Sequence, residues 1–192
     1  MDVQWPAFGP SWTLFLDRDG VINRRLPGAY VRTWAEFEWL PGALPAIASF
    51  GRLFGRVVVV TNQQGIGKGL MTEAALHRIH RQMLAGVEAF GGRIDGVYHC
   101  PALALEQPNC RKPGPAMALQ ARQDFPGIDF RRSVMVGDSW SDMEFGQRLG
   151  MFNVLVVNKE EEQSALIHAR EQGIRADAAV DGLAGLAAAW SS

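Results

Sequence analysis

Cysteine is nearly absent: Cys100 and Cys110 are the only two in a chain of 192 residues. Two cysteines do not make the kind of disulfide framework that holds small secreted domains together. An excess of charge is missing too. Nineteen Lys and Arg stand against twenty Asp and Glu, a formal net charge of -1, so bulk charge argues against nucleic acid or another polyanion as partner. No apolar run reaches the roughly 18 residues that a membrane span requires. Residues 1–11 carry no basic stretch followed by an apolar core, so no signal peptide is expected and the cytoplasm is the default compartment. Repeats, low-complexity stretches and a clear linker are lacking as well. The economical expectation is one domain over residues 1–192, a length within the usual range of about 100–200.

One stretch organises what is there: Leu14-Phe15-Leu16-Asp17-Arg18-Asp19-Gly20. Thr13 to Leu16 has the pattern of a strand buried on both faces of a parallel sheet. It ends in two carboxylates, two residues apart, followed by glycine. In open α/β sheets the ligand crevice lies outside the carboxyl ends of the strands, so these acids fall where chemistry is expected. Two close carboxylates repel each other, and a divalent cation or a positive substrate group relieves that repulsion.

Further strands are expected at Val57 to Val60, Ile94 to His99, Ser133 to Val136 and Asn153 to Val157, with a short one at Ala178 to Val180. Helical spacing predicts helices from Ala43 to Arg52, from Thr72 as N-cap to Phe90, from Pro115 to Gln123, and from Ser139 or Ser141 to Leu149. Two more are expected at Glu160 to Gln172 and Gly182 to Trp190. Strands alternating with helices predict a Rossmann-like three-layer α/β/α fold with a mostly parallel sheet. Gly65-Ile66-Gly67-Lys68-Gly69 is not a P-loop: the glycine five residues before Gly-Lys is replaced by Asn62, and Gly69 stands where Ser or Thr belongs. It is read as a loop at the rim of a site, with Lys68 able to reach an anionic group.

Four polar clusters fall at or beyond strand ends: Asp17-x-Asp19, Thr61-Asn62, Arg111-Lys112-Pro113, and Gly137-Asp138-Ser139-x-x-Asp142. Each alone has a bland explanation. Thr61 suits a strand-end cap, Lys112 a surface lysine, and Asp138 and Asp142 a helix N-terminus. Together, in this order, they resemble the four motifs of the haloacid-dehalogenase-like phosphatases, over roughly Thr13 to Val157. The resemblance implies Asp17 as nucleophile on phosphorus and Asp19 as general acid and base. It implies Mg²⁺ on the carboxylates of Asp17 and Asp138 and the carbonyl of Asp19, with Asp142 further out. Thr61 and Asn62 would contact the phosphate, Gln63 would contact the substrate, and Lys112 would hold the phosphate against Asp17 as a point charge.

The segments between the motifs leave no room for a separate cap domain. Asp17 to Asn23, Tyr30-Val31, Phe37 to Gly42, Val60 to Gly69 and Cys110 to Pro113 resemble the D-glycero-D-manno-heptose 1,7-bisphosphate phosphatases, with the histidinol-phosphate phosphatases as near rival. The resemblance implies a small phosphorylated metabolite as substrate, Lys68 and Arg111 as further contacts, and a monomer. That family carries a zinc loop of pattern Cys-x-His and Cys-x-Cys; here Ala102 and Pro108 occupy two ligand positions. Two thiolates do not complete a tetrahedral site, so zinc is not expected, Cys100 and Cys110 are expected as free thiols, and Leu103 to Leu105 are expected to pack the loop. Two other classes stand beside the enzyme. A receiver domain also uses Asp, Thr and Lys, but carries the phosphorylated Asp on its third strand, whereas Asp17 ends the first. A non-catalytic phospholigand-binding module would not need every acid and base position filled.

Overall fold

The computed structural model describes residues 3–106, 109–157 and 173–190. Six strands form one parallel sheet: β1 (Thr13–Leu16), β2 (Arg56–Asn62), β3 (Gly96–Cys100), β4 (Ser133–Gly137), β5 (Phe152–Val156) and β6 (Ala178–Val180), in the order β3-β2-β1-β4-β5-β6. The described helices are α1 (Ala43–Leu53), α2 (Gln64–Gly67), α3 (Glu73–Ala89), α4 (Ala116–Asp124), α5 (Trp140–Leu149) and α6 (Leu183–Trp190). The helix expected over residues 160–172 lies outside the described residues.

The period of two in the strands decides the layers. Leu14, Leu16, Val57, Val59, Val134 and Val136 face one way, onto the buried sides of α1, α3 and α6. Phe15, Val58, Val60 and Met135 face the other, onto Met117, Ala118 and Ala121 of α4 and Phe145 of α5. Each such side chain, fully buried, contributes about 1.5–3 kcal/mol. Their near-continuous apolar runs are those of strands covered on both faces. The segments between β1 and β2 and between β2 and β3 are taken up by loops, α1, α2 and α3, and no separate cap stands over the sheet among the described residues. No helix among the described residues is long and apolar enough to cross a membrane.

Four local expectations are corrected. Cys100 and Cys110 are not free: they form a disulfide with Cα atoms 5.4 Å apart. β3 delivers Cys100 to a fully buried position at its end, and the chain doubles back to bring Cys110 beside it. Leu105 does not pack the intervening loop; it is 96% exposed. Phe90, expected as the last residue of its helix, lies past the last turn of α3 and is half exposed. The glycine-rich stretch after β2 begins as a single helical turn, α2, because the amide of Lys68 returns to the carbonyl of Gln64.

Candidate active site

The carboxyl ends of β1, β2 and β4 are adjacent in the sheet, and a cleft of about 390 Å³ opens above them. β1 continues its pairing one residue further, the amide of Asp17 donating to the carbonyl of Val136 at 2.9 Å. The chain then turns sharply, with the amides of Val21, Ile22 and Asn23 all donating to the carbonyl of Arg18. Gly20 sits in that turn at φ +88°, and a Cβ there would come 2.0 Å from Asp138 Oδ2. Only glycine meets both demands. Gly137 is constrained likewise at the end of β4, where a Cβ would come 2.2 Å from the Cβ of Asp142.

Lys112 enters beneath the cleft, almost fully buried. Its Nζ lies 2.9 Å from Asp17 Oδ1 and 2.6 Å from Asp142 Oδ1, and donates to the carbonyl of Val60 at 2.8 Å. Its backbone is gripped from β2: the Lys112 amide donates to Asn62 Oδ1 at 3.0 Å, and Asn62 Nδ2 donates to the Lys112 carbonyl at 3.3 Å. Asp142 also caps its own helix, accepting from the amide and hydroxyl of Ser139. The anionic partners Asp142 and Asp17 outweigh the burial of the ammonium and push its pKa up, so Lys112 remains a cation.

Asp17, Asp138 and Asp142 each bring one carboxylate oxygen within 4.8 Å of the others. Burial raises the Asp17 pKa to about 8; Lys112 opposes this, while Asp142, Asp138 and Asp19 add to it. Asp138 rises to about 6, through burial and then Asp142, against Arg25 at 3.4 Å and Lys112. Lys112 and Arg25 together bring fewer charges than the three carboxylates of this cluster. Hard oxygen donors that crowd together and hold protons against their ordinary range fit a small divalent cation.

Asp19 is the opposite case. Burial pushes its pKa up, but Arg18 and hydrogen bonds from Asn23, Arg18 and Gln63 outweigh it, leaving the carboxyl below its usual range. Arg18 Nη2 spans both its oxygens at 2.9 Å each, Asn23 Nδ2 reaches Oδ1 at 2.9 Å, and Gln63 Nε2 reaches Oδ2 at 2.8 Å.

The cleft is thus lined by Asp17, Asp19, Thr61, Asn62, Arg111 and Lys112, with Lys68, Asp138 and Asp142. Gln63 is the exception, and its expected role as a substrate contact is corrected. It is buried beneath the cleft, and its amide joins Asp19 to the Thr61 hydroxyl at 2.8 Å. Several lining residues were missed, among them Arg25, Tyr30 and Ser139. Arg25 and Tyr30 come from the loop after β1, with Lys68 over the Tyr30 ring at 5.3 Å, and Ser139 comes from the turn after β4. Nothing in a loop of mixed composition signals which side chains fold back. Arg18, fully buried between two acids, was legible in part: a cation flanked by carboxylates after an apolar strand has partners at hand.

A family model described as HAD-hydrolase-like matches residues 109–186. A D-glycero-alpha-D-manno-heptose-1,7-bisphosphate 7-phosphatase of Mycobacterium bovis is 44% identical over 141 residues, 73% of this chain and 74% of that one. A D-glycero-beta-D-manno-heptose-1,7-bisphosphate 7-phosphatase of Rhodopseudomonas palustris is 38% identical over 144 residues, 71% of this chain and 78% of the relative. Among solved structures, the D,D-heptose 1,7-bisphosphate phosphatase from B. bronchiseptica, complexed with magnesium and phosphate, superposes with a TM-score of 0.78. It is 29% identical, and the match covers 93% of this chain and 97% of that one.

Proposed function

The chain belongs to the haloacid-dehalogenase-like hydrolase family, and on that premise we propose that it is a Mg²⁺-dependent phosphatase that removes the 7-phosphate of a D-glycero-D-manno-heptose 1,7-bisphosphate. The observation that carries this reading is the Asp17 carboxylate at the tip of β1, 2.9 Å from the Lys112 ammonium, with the Asp138 and Asp142 carboxylates beside it.

In the first step an oxygen of Asp17 attacks the 7-phosphorus. The bond from phosphorus to the sugar oxygen breaks, and Asp19 delivers a proton to the departing alkoxide. The incoming phosphate is a dianion, and a like charge beside Asp19 raises its affinity for that proton. In the second step Asp19, again ionised, takes a proton from water. The water oxygen attacks the aspartyl-phosphate, inorganic phosphate leaves, and Asp17 is regenerated. Lys112 stays charged throughout and aligns Asp17 with the phosphoryl oxygens, while Thr61 and Asn62 would bond them. The carboxylates of Asp17 and Asp138, with the carbonyl of Asp19, would hold Mg²⁺, which neutralises phosphoryl charge when bound. Asp142 serves by fixing Lys112. The distal phosphate falls to Lys68 and Arg111, at the outer part of the cleft; Arg111 is braced there by its bond to the Ala102 carbonyl at 3.2 Å. The reading carries a monomer as the acting unit and the cytoplasm as its compartment.

Phosphate release with Mg²⁺ tests the reading. Both anomers of the heptose bisphosphate, fructose 1,6-bisphosphate and histidinol phosphate are compared. The heptose bisphosphate is expected to have the highest kcat/KM, and Asp17→Asn to lower turnover of every ester by at least about 10³-fold while leaving the protein folded. Preference for histidinol phosphate would transfer the assignment to the neighbouring branch; turnover surviving in Asp17→Asn would end the covalent mechanism.

A further inference from the structure

Behind Asp19 lies a charge that the reaction as described leaves without a task. Arg18 has no exposed surface. A guanidinium so placed is tolerated only where partners meet its donors. Nη2 is taken by Asp19. Nη1 lies 3.2 Å from Nε2 of His80, 62 residues further along the chain. Nε has no partner. The group is therefore held from two sides, by the acid in front and the imidazole behind.

His80 comes from the buried face of α3. Arginine donates and cannot accept, so Nε2 of His80 must be the acceptor and the ring is neutral, with its hydrogen on Nδ1. The surroundings favour that form: burial first, then the charge of Arg18, then His99, lower the His80 pKa to about 3. The imidazole is thus a constant acceptor across any ordinary assay range.

We propose that His80 and Arg18 are positioning residues for proton transfer, His80 fixing the guanidinium and the guanidinium holding the Asp19 carboxyl aimed at the leaving oxygen. The inference rests on Asp19 being the proton-transfer group. Without His80, Nη1 becomes a buried donor with no acceptor, and the guanidinium must shift to find one. Asp19, whose two oxygens both bond Nη2, moves with it. Asn23 and Gln63 hold the carboxyl from either side, so the expected defect is misalignment, not loss, of the acid.

The leaving group separates this role from a merely structural one. A sugar alkoxide cannot depart without a proton; p-nitrophenolate can. Since kcat/KM extends only through the departure of the leaving group, it reports the acid directly. In His80→Leu, kcat/KM for heptose 1,7-bisphosphate is expected to fall by about 10- to 100-fold, through kcat, while that for p-nitrophenyl phosphate changes by less than about threefold. His80→Gln, which restores a neutral acceptor, should recover most of the loss. Arg18→Met removes the bridge itself and should show the same selectivity, which carries the test should His80→Leu fail to fold. Asp19→Asn is run in parallel. If Asp19→Asn is selective and the His80 and Arg18 variants lose both esters equally, or neither, the inference is overturned and the reading of Asp19 stands. If Asp19→Asn is itself unselective, the reading of Asp19 fails, and the inference with it.

Discussion

Asp17 must be ionised to attack phosphorus, yet its surroundings favour the proton. Burial, with Asp142, Asp138 and Asp19 nearby, lifts its pKa to about 8 despite Lys112, and Asp138 stands at about 6. A carboxyl whose pKa is higher folded than unfolded binds more protons in the folded state between the two values, so its contribution to stability falls as pH rises through that window. The cation-free protein is accordingly expected to lose thermal stability between about pH 5 and about pH 8.5, and Mg²⁺ to raise Tm more at the upper end than at the lower. Calorimetric titration near neutrality, in two buffers of different ionisation enthalpy, should show protons released as Mg²⁺ binds. A Mg²⁺ effect on Tm that is equal at both ends would refute this account of the cluster. Asp19, two residues along, is held below its usual range by Arg18, Asn23 and Gln63. The same residue type at the same strand end is thus prepared for two tasks by its neighbours alone.

Among the elements, the connection from β3 to α4 carries the most function on the least regular structure. It holds Arg111 and Lys112 and is tied at both ends, by the Cys100–Cys110 disulfide and by the two bonds from Asn62 to the Lys112 backbone. These ties act on different residues. Breaking the disulfide frees the approach to Arg111, while Asn62, Val60, Asp17 and Asp142 still hold Lys112. A closure of about ten residues contributes about 2–3 kcal/mol through the unfolded chain. Cys100→Ser with Cys110→Ser, or dithiothreitol, is expected to lower the denaturant midpoint accordingly. KM for the bisphosphate should rise while kcat stays within about threefold. An unchanged KM would show that Arg111 takes no part in holding the distal phosphate.

Across the whole molecule, stability and chemistry are placed at opposite ends of the strands. The cleft caps the carboxyl ends. At the amino ends Trp190 of α6 closes an aromatic cluster, with ring centroids 5.9 Å from Trp5, 4.8 Å from Phe8, 5.0 Å from Phe50 and 5.2 Å from Phe54. The strands that end at the cleft, four to seven residues long, put roughly 13–23 Å between the two ends. Trp190→Ala is expected to cost about 2–4 kcal/mol in chemical denaturation and to leave kcat/KM unchanged at temperatures where the variant is folded. Coupled losses of activity and stability would show that the two ends of the sheet are not independent. The layered architecture was legible from Val57 to Val60 and Val134 to Val136, whose short unbroken apolar runs suit strands covered on both faces. The connections were less so: the turn after β2 and the bridge across the β3–α4 loop follow from contacts with neighbouring strands, which no local pattern encodes.

What the residues determined by themselves is the placing of acids at strand ends and the glycines beside them, because alternation, apolar runs and backbone freedom are local properties. Asp17, Asp19 and Asp138 were visible for that reason. What the tertiary structure alone decided is which charge meets which. Gln63 turns inward to Asp19 across 44 residues, His80 backs Arg18 across 62, and Asn62 clasps Lys112 across 50. Such pairings depend on chain closure over long separations and on the low dielectric of the packed interior, and both exist only once the sheet has formed.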